Sequence, residues 1–206
     1  MFAGMNIHSA NILDLPLALG KREEILRAAL EVIAAQGFHG APITAIAEQA
    51  GVGAGTIYRY FENKDVLIRE LFQGIRQRIC AGLREEYPAA ATLPERFTHL
   101  GAALLRHLIS NPQDFQYLEQ FHNSPYGVEF RRDRILGKGE DGDLCRCLLE
   151  EGLAQQQVKE LPLAVLFALA YGPIIAVARD HNLGFIELDE ALIKATVQAC
   201  WDGIRR

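Results

Sequence analysis

The sequence lacks the cysteine spacing of a zinc site or a thiol redox centre. Its four cysteines, Cys80, Cys145, Cys147 and Cys200, form no C-x2-C pair. Cys145 and Cys147 stand two apart, which on a helix turns them to opposite sides. Four reduced thiols in a cytoplasmic protein are the expectation. Strand-like alternation is absent over any useful length, which argues against a sheet and for an all-α fold. An excess of positive charge is also missing: the formal net charge is -5. The chain as a whole therefore does not advertise a polyanion partner, although a local patch can act against the mean. The first twenty residues hold no Lys or Arg and are interrupted by Asp14. They do not read as a signal peptide, and residues 1–19 are expected to form a flexible arm. There is no internal repeat and no low-complexity segment.

Catalytic constellations are missing as well. The histidines, His8, His39, His99, His107, His122 and His181, are scattered. No Ser/His/Asp set, metal-ligand cluster or carboxylate pair stands at a telling spacing. His99 and His107 can share one helix face, which without a partner carboxylate reads as packing. No enzyme activity, cofactor or metal is expected. One long uncharged run is present, LPLAVLFALAYGPIIAVA over 161–178. It approaches the length of a membrane helix. Pro162, Gly172 and Pro173 interrupt it, five alanines dilute it, and no Lys/Arg clusters flank it. A buried helix is expected there rather than a membrane span.

What is present is 206 residues of ordinary globular composition, half of them hydrophobic. That length suits one larger domain, or a small domain fused to a larger one. Lys21 to Gln36 carries Ile25, Leu26, Ala29, Leu30 and Ile33 on one helical face, with Gly37 as stop and Phe38 beyond it. Pro42 suits the first residue of a short helix ending near Ala50. Another short helix spans Ala54 to Tyr60. Asn63 can cap a long helix from Lys64 to about Glu86, before Pro88. Thr92 and Glu95 form a capping box that opens a helix to about Ser110. Asn111-Pro112 starts the next. Ser124-Pro125-Tyr126-Gly127 reads as a turn and 137–143 as a loop. Leu144–Gln156, Pro162–Asp180 and Leu188–Ile204 bring the total to about nine helices.

The stretch AGVGAGTIYRYFENK, residues 50–64, carries the functional signal. Its G-x-G-x-G spacing is not the G-x-G-x-x-G of a dinucleotide cradle, and a helix pattern precedes it where that cradle needs a strand. No Lys follows Gly55 as a P-loop requires. A turn between two helices fits better. Gly51 ends the first helix, and Val52 can plug the gap between the two. Ile57 and Phe61, four apart, form the inward face of the second. Thr56, Tyr58, Arg59 and Tyr60 remain for other faces. Arg can donate two bonds to a guanine edge, Tyr hydroxyls can reach phosphates, and a Thr methyl can meet that of thymine.

The string I43-x-x-I46-A47-x-x-A50-G51-V52-x-x-G55-T56-I57-Y58-x-Y60-F61-x-x-K64-x-x-L67 resembles the DNA-binding signature of the TetR family of bacterial transcriptional regulators. The resemblance covers about 20–67; the rest matches only in helix count and length. It implies a helix-turn-helix DNA-binding domain over 20–66 of three helices. A helical effector-binding and dimerisation domain would follow over 67–206. By matching position, Ile46, Ala47, Val52, Ile57 and Phe61 would pack the motif. Thr44 would touch phosphate. Ala54, Gly55 and Thr56 would lie against DNA at the start of the recognition helix. Tyr58 and Tyr60 would contact backbone, Arg59 would read a base, and Lys64 would hold a phosphate. Ala41 and Gly53 depart from the Ser or Thr common at the caps, and Ala54 from the usual polar residue. These changes weaken phosphate binding and leave Arg59 as the charged base-reading candidate.

One such motif reads few base pairs, so a two-fold dimer on a palindromic operator in double-stranded DNA is expected. The 161–178 segment and the last helix, with Leu188, Leu192, Val197 and Trp201, are the natural interface, and the resemblance implies the same two helices. An intramolecular core is the plainer reading of those residues. Phe97, Phe115, Phe121, His122, Tyr126, Phe167 and Tyr171 are candidates to bind a small apolar or aromatic effector, although core and cavity draw on the same residue types. The resemblance implies a repressor whose effector shifts the long helix bearing Lys64, Ile75 and Ile79 and so releases DNA. A second reading is a helical dimerisation or interaction module with weak or lost DNA binding. Between Lys21 and Glu86 the charges balance, nine of each sign, which keeps it open.

Overall fold

The computed structural model describes residues 14–135 and 143–206. The described residues form ten helices and no strand, apart from one isolated bridge between Val158 and Arg205. The chain divides into two units, one ending at Leu71 and one from Phe72 to Arg206. The reading of 137–143 as a loop and of 1–13 as part of an arm falls largely outside the described residues.

The first unit is built on α1 (Asp14–Gly40). It begins earlier than the apolar stripe indicates, because Leu15, Leu17, Ala18 and Leu19 are good helix formers and Pro16 is tolerated in a first turn. Ile25, Ala28, Ala29, Val32 and Ile33 are buried, with Leu26 and Leu30 at the margin. The helix breaks at Gly37, with φ 75° and ψ 170°. Next come α2 (Ile43–Gln49) and α3 (Ala54–Tyr60). Pro42 caps α2 from outside rather than opening it, its ψ of 156° being extended. The unit closes with the first turns of α4 (Lys64–Arg84), whose start Asn63 caps by accepting from the Val66 N–H at 2.9 Å. Leu67, Ile68 and Leu71 complete its core.

The second unit takes the remainder of α4 together with α5 (Leu93–Ser110), α6 (Pro112–His122), α7 (Pro125–Ile135), α8 (Leu144–Ala154), α9 (Leu163–Asn182) and α10 (Glu190–Ile204). The Thr92–Glu95 capping box is present. α5 is the central element and packs on α6, α8, α9 and α10. Gly101 lets it lie close: a Cβ there would stand 2.6 Å from Cγ1 of Val197 on α10. Ion pairs ring the core, Arg96 to Glu151, Arg106 to Glu190 and Arg179 to Glu119. The C-terminus is clamped to the α8–α9 connection, Lys159 N–H donating to the Ile204 carbonyl at 2.8 Å and Arg206 N–H to that of Gln157 at 3.0 Å.

Two expectations change here. Ser124–Gly127 is not a turn but the opening of α7, with Pro125 as first residue. Proline serves helix starts as well as turns. Gly127 reflects tight packing: a Cβ there would lie 2.3 Å from the Phe121 carbonyl oxygen. The 161–178 run is helical but not a buried helix, since 28% of its most apolar window is covered within the chain. Leu166, Ala170, Tyr171, Ile174 and Ala178 face inward, while Val165, Leu169 and Ile175 are exposed.

Candidate nucleic-acid interface

The turn between α2 and α3 is set by Gly51. Its φ is +64°, a conformation other residues rarely adopt. Gly51 N–H donates to the Glu48 carbonyl at 3.0 Å and Val52 N–H to that of Ala47 at 2.9 Å. This pair of bonds is a Schellman motif, which satisfies two carbonyls at the end of α2. Val52 is half-buried against the motif rather than enclosed. Gly53 then caps α3, and the Thr56 N–H donates to its carbonyl at 2.8 Å.

α3 is anchored by Ile57 and Phe61, both essentially inaccessible, and Ile46 and Ala47 of α2 are buried in the same unit. The guanidinium of Arg22 lies 5.3 Å from the centre of the Phe61 ring. Arg22 also pairs with Glu70, and Gln49 donates to Glu31 at 2.6 Å, so α1 is tied to both α4 and α2. What this anchoring leaves outward is the predicted set. Thr44, Gly55, Tyr58 and Arg59 are exposed; Ala54, Thr56 and Tyr60 are half-buried. Tyr58 is 55% exposed, a large ring held in solvent by a helix fixed on its other side. Beside Gly53 and Gly55, nothing beyond the adjoining backbone lies within 4 Å of where a Cβ would be. The ground before the start of α3 is open, and its backbone can be approached closely.

Lys64 is the exception to this openness. Its ammonium donates to the Phe38 carbonyl, just past the break in α1. Burial lowers its pKa, against the opposing charge of Asp65. The residue thus staples the start of α4 to the end of α1, with two ammonium protons left for another acceptor.

Ring contacts join six of the seven effector candidates into aromatic groups. Phe121, His122 and Tyr126 belong to an aromatic cluster of α4, α6 and α7. There Phe72 stacks on Phe121 at 3.7 Å between ring centres and Phe130 stands edge-on to Phe72 at 4.9 Å. Phe97 and Tyr171 lie 5.8 Å apart in the core of α5, α9 and α10, with Phe167 at 5.7 Å from Tyr171 and Trp201 at 5.3 Å from Phe97. Phe115 is buried on α6. Val197 and Trp201, expected at a dimer surface, are interior, because α10 turns them toward α5; Leu192 is exposed.

A charged node escaped the sequence reading. Asp114 is the one charged residue buried among those described, and Arg78 of α4 grips it with Nη2 at 2.8 and 2.9 Å from its two oxygens. His107, at the end of α5, brings Nε2 to 3.6 Å from the same carboxylate. The histidine does have a carboxylate neighbour, contrary to expectation. Burial alone would raise the Asp114 carboxyl, but His107 and Arg78 outweigh it and hold it below the usual range.

Residues 25–71 match the family model for bacterial regulatory proteins, tetR family, and residues 92–205 the model for a tetracyclin repressor-like C-terminal domain. The fatty acid metabolism regulator protein of Bacillus subtilis is 32% identical over 191 residues, covering 86% of this chain and 94% of that protein. A TetR family transcription regulator from Marinobacter aquaeolei superposes with a TM-score of 0.80 at 21% identity, over 94% of this chain and 99% of that one, which speaks to the fold alone. The transcriptional regulator FadR from Bacillus subtilis, solved in complex with stearoyl-CoA, has a TM-score of 0.70 at 26% identity, over 88% and 98% of the two chains.

Proposed function

The chain belongs to the TetR family of bacterial regulatory proteins, a ligand-responsive DNA-binding transcriptional regulator and not an enzyme, and on that premise we propose that it is a repressor that grips a palindromic operator as a homodimer and lets go when a long-chain acyl thioester binds. The observation that carries the DNA half is the two-sidedness of α3. Ile57 and Phe61 lock one side, while Gly55, Tyr58 and Arg59 stand open on the other.

In this reading the start of α3 enters the major groove. Gly55 allows close approach, Arg59 reads a guanine, and Thr44, Tyr58, Tyr60 and the free protons of Lys64 bond phosphates. The dimer forms through the exposed faces of α9 and α10, where Val165, Leu169, Ile175 and Leu192 leave apolar area uncovered in one chain. Two recognition helices then read two half-sites.

The effector class is supported by the Bacillus subtilis matches, a regulator named for fatty acid metabolism and the FadR structure solved with stearoyl-CoA. The second unit suits an acyl chain because its interior is apolar and aromatic around Phe97, Phe121 and Tyr171. A ligand there acts on DNA affinity only if it binds the released state more tightly, and α4, running from Lys64 to Arg84, is the element that carries the difference. The test is fluorescence anisotropy of a selected operator titrated with saturated acyl-CoA thioesters of increasing chain length. Release that strengthens with chain length supports the reading. Unchanged operator affinity across the series, with free CoA as control, contradicts it.

A further inference from the structure

α9 ends in a cap that exposes what such caps normally cover. Gly184, at φ +78°, follows the last turn. Its N–H donates to the His181 carbonyl and the Phe185 N–H donates to that of Asp180, both at 2.9 Å. The two bonds make a Schellman motif, in which the residue at the position of Phe185 usually packs on an apolar residue of the final turns. Here those turns offer Asp180 and Arg179, and Arg179 is drawn away to Glu119 at 2.6 Å. Phe185 is left 74% exposed and Leu183 59% exposed, with Ile186 beside them. The cap's backbone hydrogen bonds hold the segment that carries these apolar side chains, so covering them costs less entropy than ordering a loose loop would.

The position of the cap points to its occupant. Leu183 follows Val165 by 18 residues, five whole helical turns, so the two share one face of α9. Leu169, Gly172 and Ala176 lie along the same stripe, and Leu169 and Ala176 are exposed. The cap therefore continues the face that the dimer reading uses. A two-fold interface is self-complementary: residues equally far from the axis on opposite sides meet. The stripe from Val165 to Leu183 has its midpoint beside Gly172 and Pro173, where small side chains let two helices approach. Antiparallel pairing about that point also aligns the helix dipoles favourably.

We infer that the cap formed by Leu183, Phe185 and Ile186 is an outer anchor of the homodimer, with Leu183 on the second copy's Val165 and Phe185 just beyond it, at the start of that copy's α9. The inference rests on the dimer reading and adds its register.

Two experiments on the full chain test it. Sedimentation of Phe185→Ser is compared with Leu169→Glu, which strikes the middle of α9. Circular dichroism checks folding, and both side chains are exposed enough for it to persist. The anchor predicts that Phe185→Ser weakens dimerisation by about tenfold or more. An intact dimer in Phe185→Ser alongside dissociation of Leu169→Glu overturns the anchor and keeps the α9 dimer. Intact dimers in both overturn the two together. The second experiment oxidises Val165→Cys/Leu183→Cys in a Cys147→Ser background, Cys147 being exposed. The two positions lie about 27 Å apart along one helix, so they cannot join within a chain. A covalent dimer from the double variant and from neither single variant is the expected result. No covalent dimer from the double variant, or self-linking of Val165→Cys alone, overturns the register.

Discussion

The Lys64 ammonium donates to the Phe38 carbonyl, 26 residues earlier in the chain, and fastens the start of α4 to the end of α1. A residue that holds its own scaffold and also binds phosphate has two separable effects. Lys64→Ala should lower stability by about 1 kcal/mol through the lost hydrogen bond. It should also reduce the slope of log affinity against log salt by about 0.9, the amount for one phosphate contact. Loss of stability with an unchanged salt slope would leave Lys64 only its scaffold role.

Arg59 is exposed on α3. Arg59→Ala should cost about 1–3 kcal/mol of discrimination at one base pair of each half-site and little elsewhere. Operator selection repeated with the variant reads this directly. An unchanged preference at every position would remove the base-reading role.

Gly51 holds φ +64° with open space where a Cβ would go, so a methyl there meets no neighbour and only the backbone suffers. Gly51→Ala should destabilise the protein by about 1–2 kcal/mol, the cost of a left-handed alanine. Denaturant unfolding measures it. A neutral result would mean that the turn relaxes to another conformation, and DNA affinity should then fall instead.

Asp114 ties α6 to α4 through Arg78 and faces His107. Its carboxyl is held below the ordinary value of 3.8. A carboxylate depressed in the folded state contributes stability above its unfolded value and loses it as pH falls through the folded one. Asp114→Asn should therefore cost about 1–2 kcal/mol near neutrality, kept modest by the half-exposed Arg78 side chain. The gap between variant and parent should narrow as pH drops below about 4. Urea midpoints across pH 3–7 check the sign; a gap that widens toward acid would contradict it.

The helix-turn-helix was legible because its constraints are local. Gly51, Ile57 and Phe61 lie within eleven residues, and one turn geometry satisfies all three. α7 was not, because Pro125 and Gly127 belong equally to turns and to a helix start packed hard on its neighbour. Without that helix, Phe130 could not be joined to Phe72 and Phe121. The Arg78–Asp114 pair spans 36 residues, and no local pattern marks it. Val197 and Trp201 looked like interface because apolarity marks both a core and a dimer face; only the packing of α10 on α5 separates them from Leu192. The same ambiguity holds for Phe97 and Phe121, since apolar rings mark a core and a ligand cavity alike.

The open face of α3 is proposed to read DNA in two symmetric half-sites. The most direct test is selection of bound sequences from random duplex DNA with the purified full chain at near-physiological salt. The expected result is enrichment of a palindrome whose half-sites lie about one helical turn apart or a multiple of it. Absence of any enriched sequence from folded, dimeric, ligand-free protein would contradict it and favour a helical dimerisation module that no longer binds DNA.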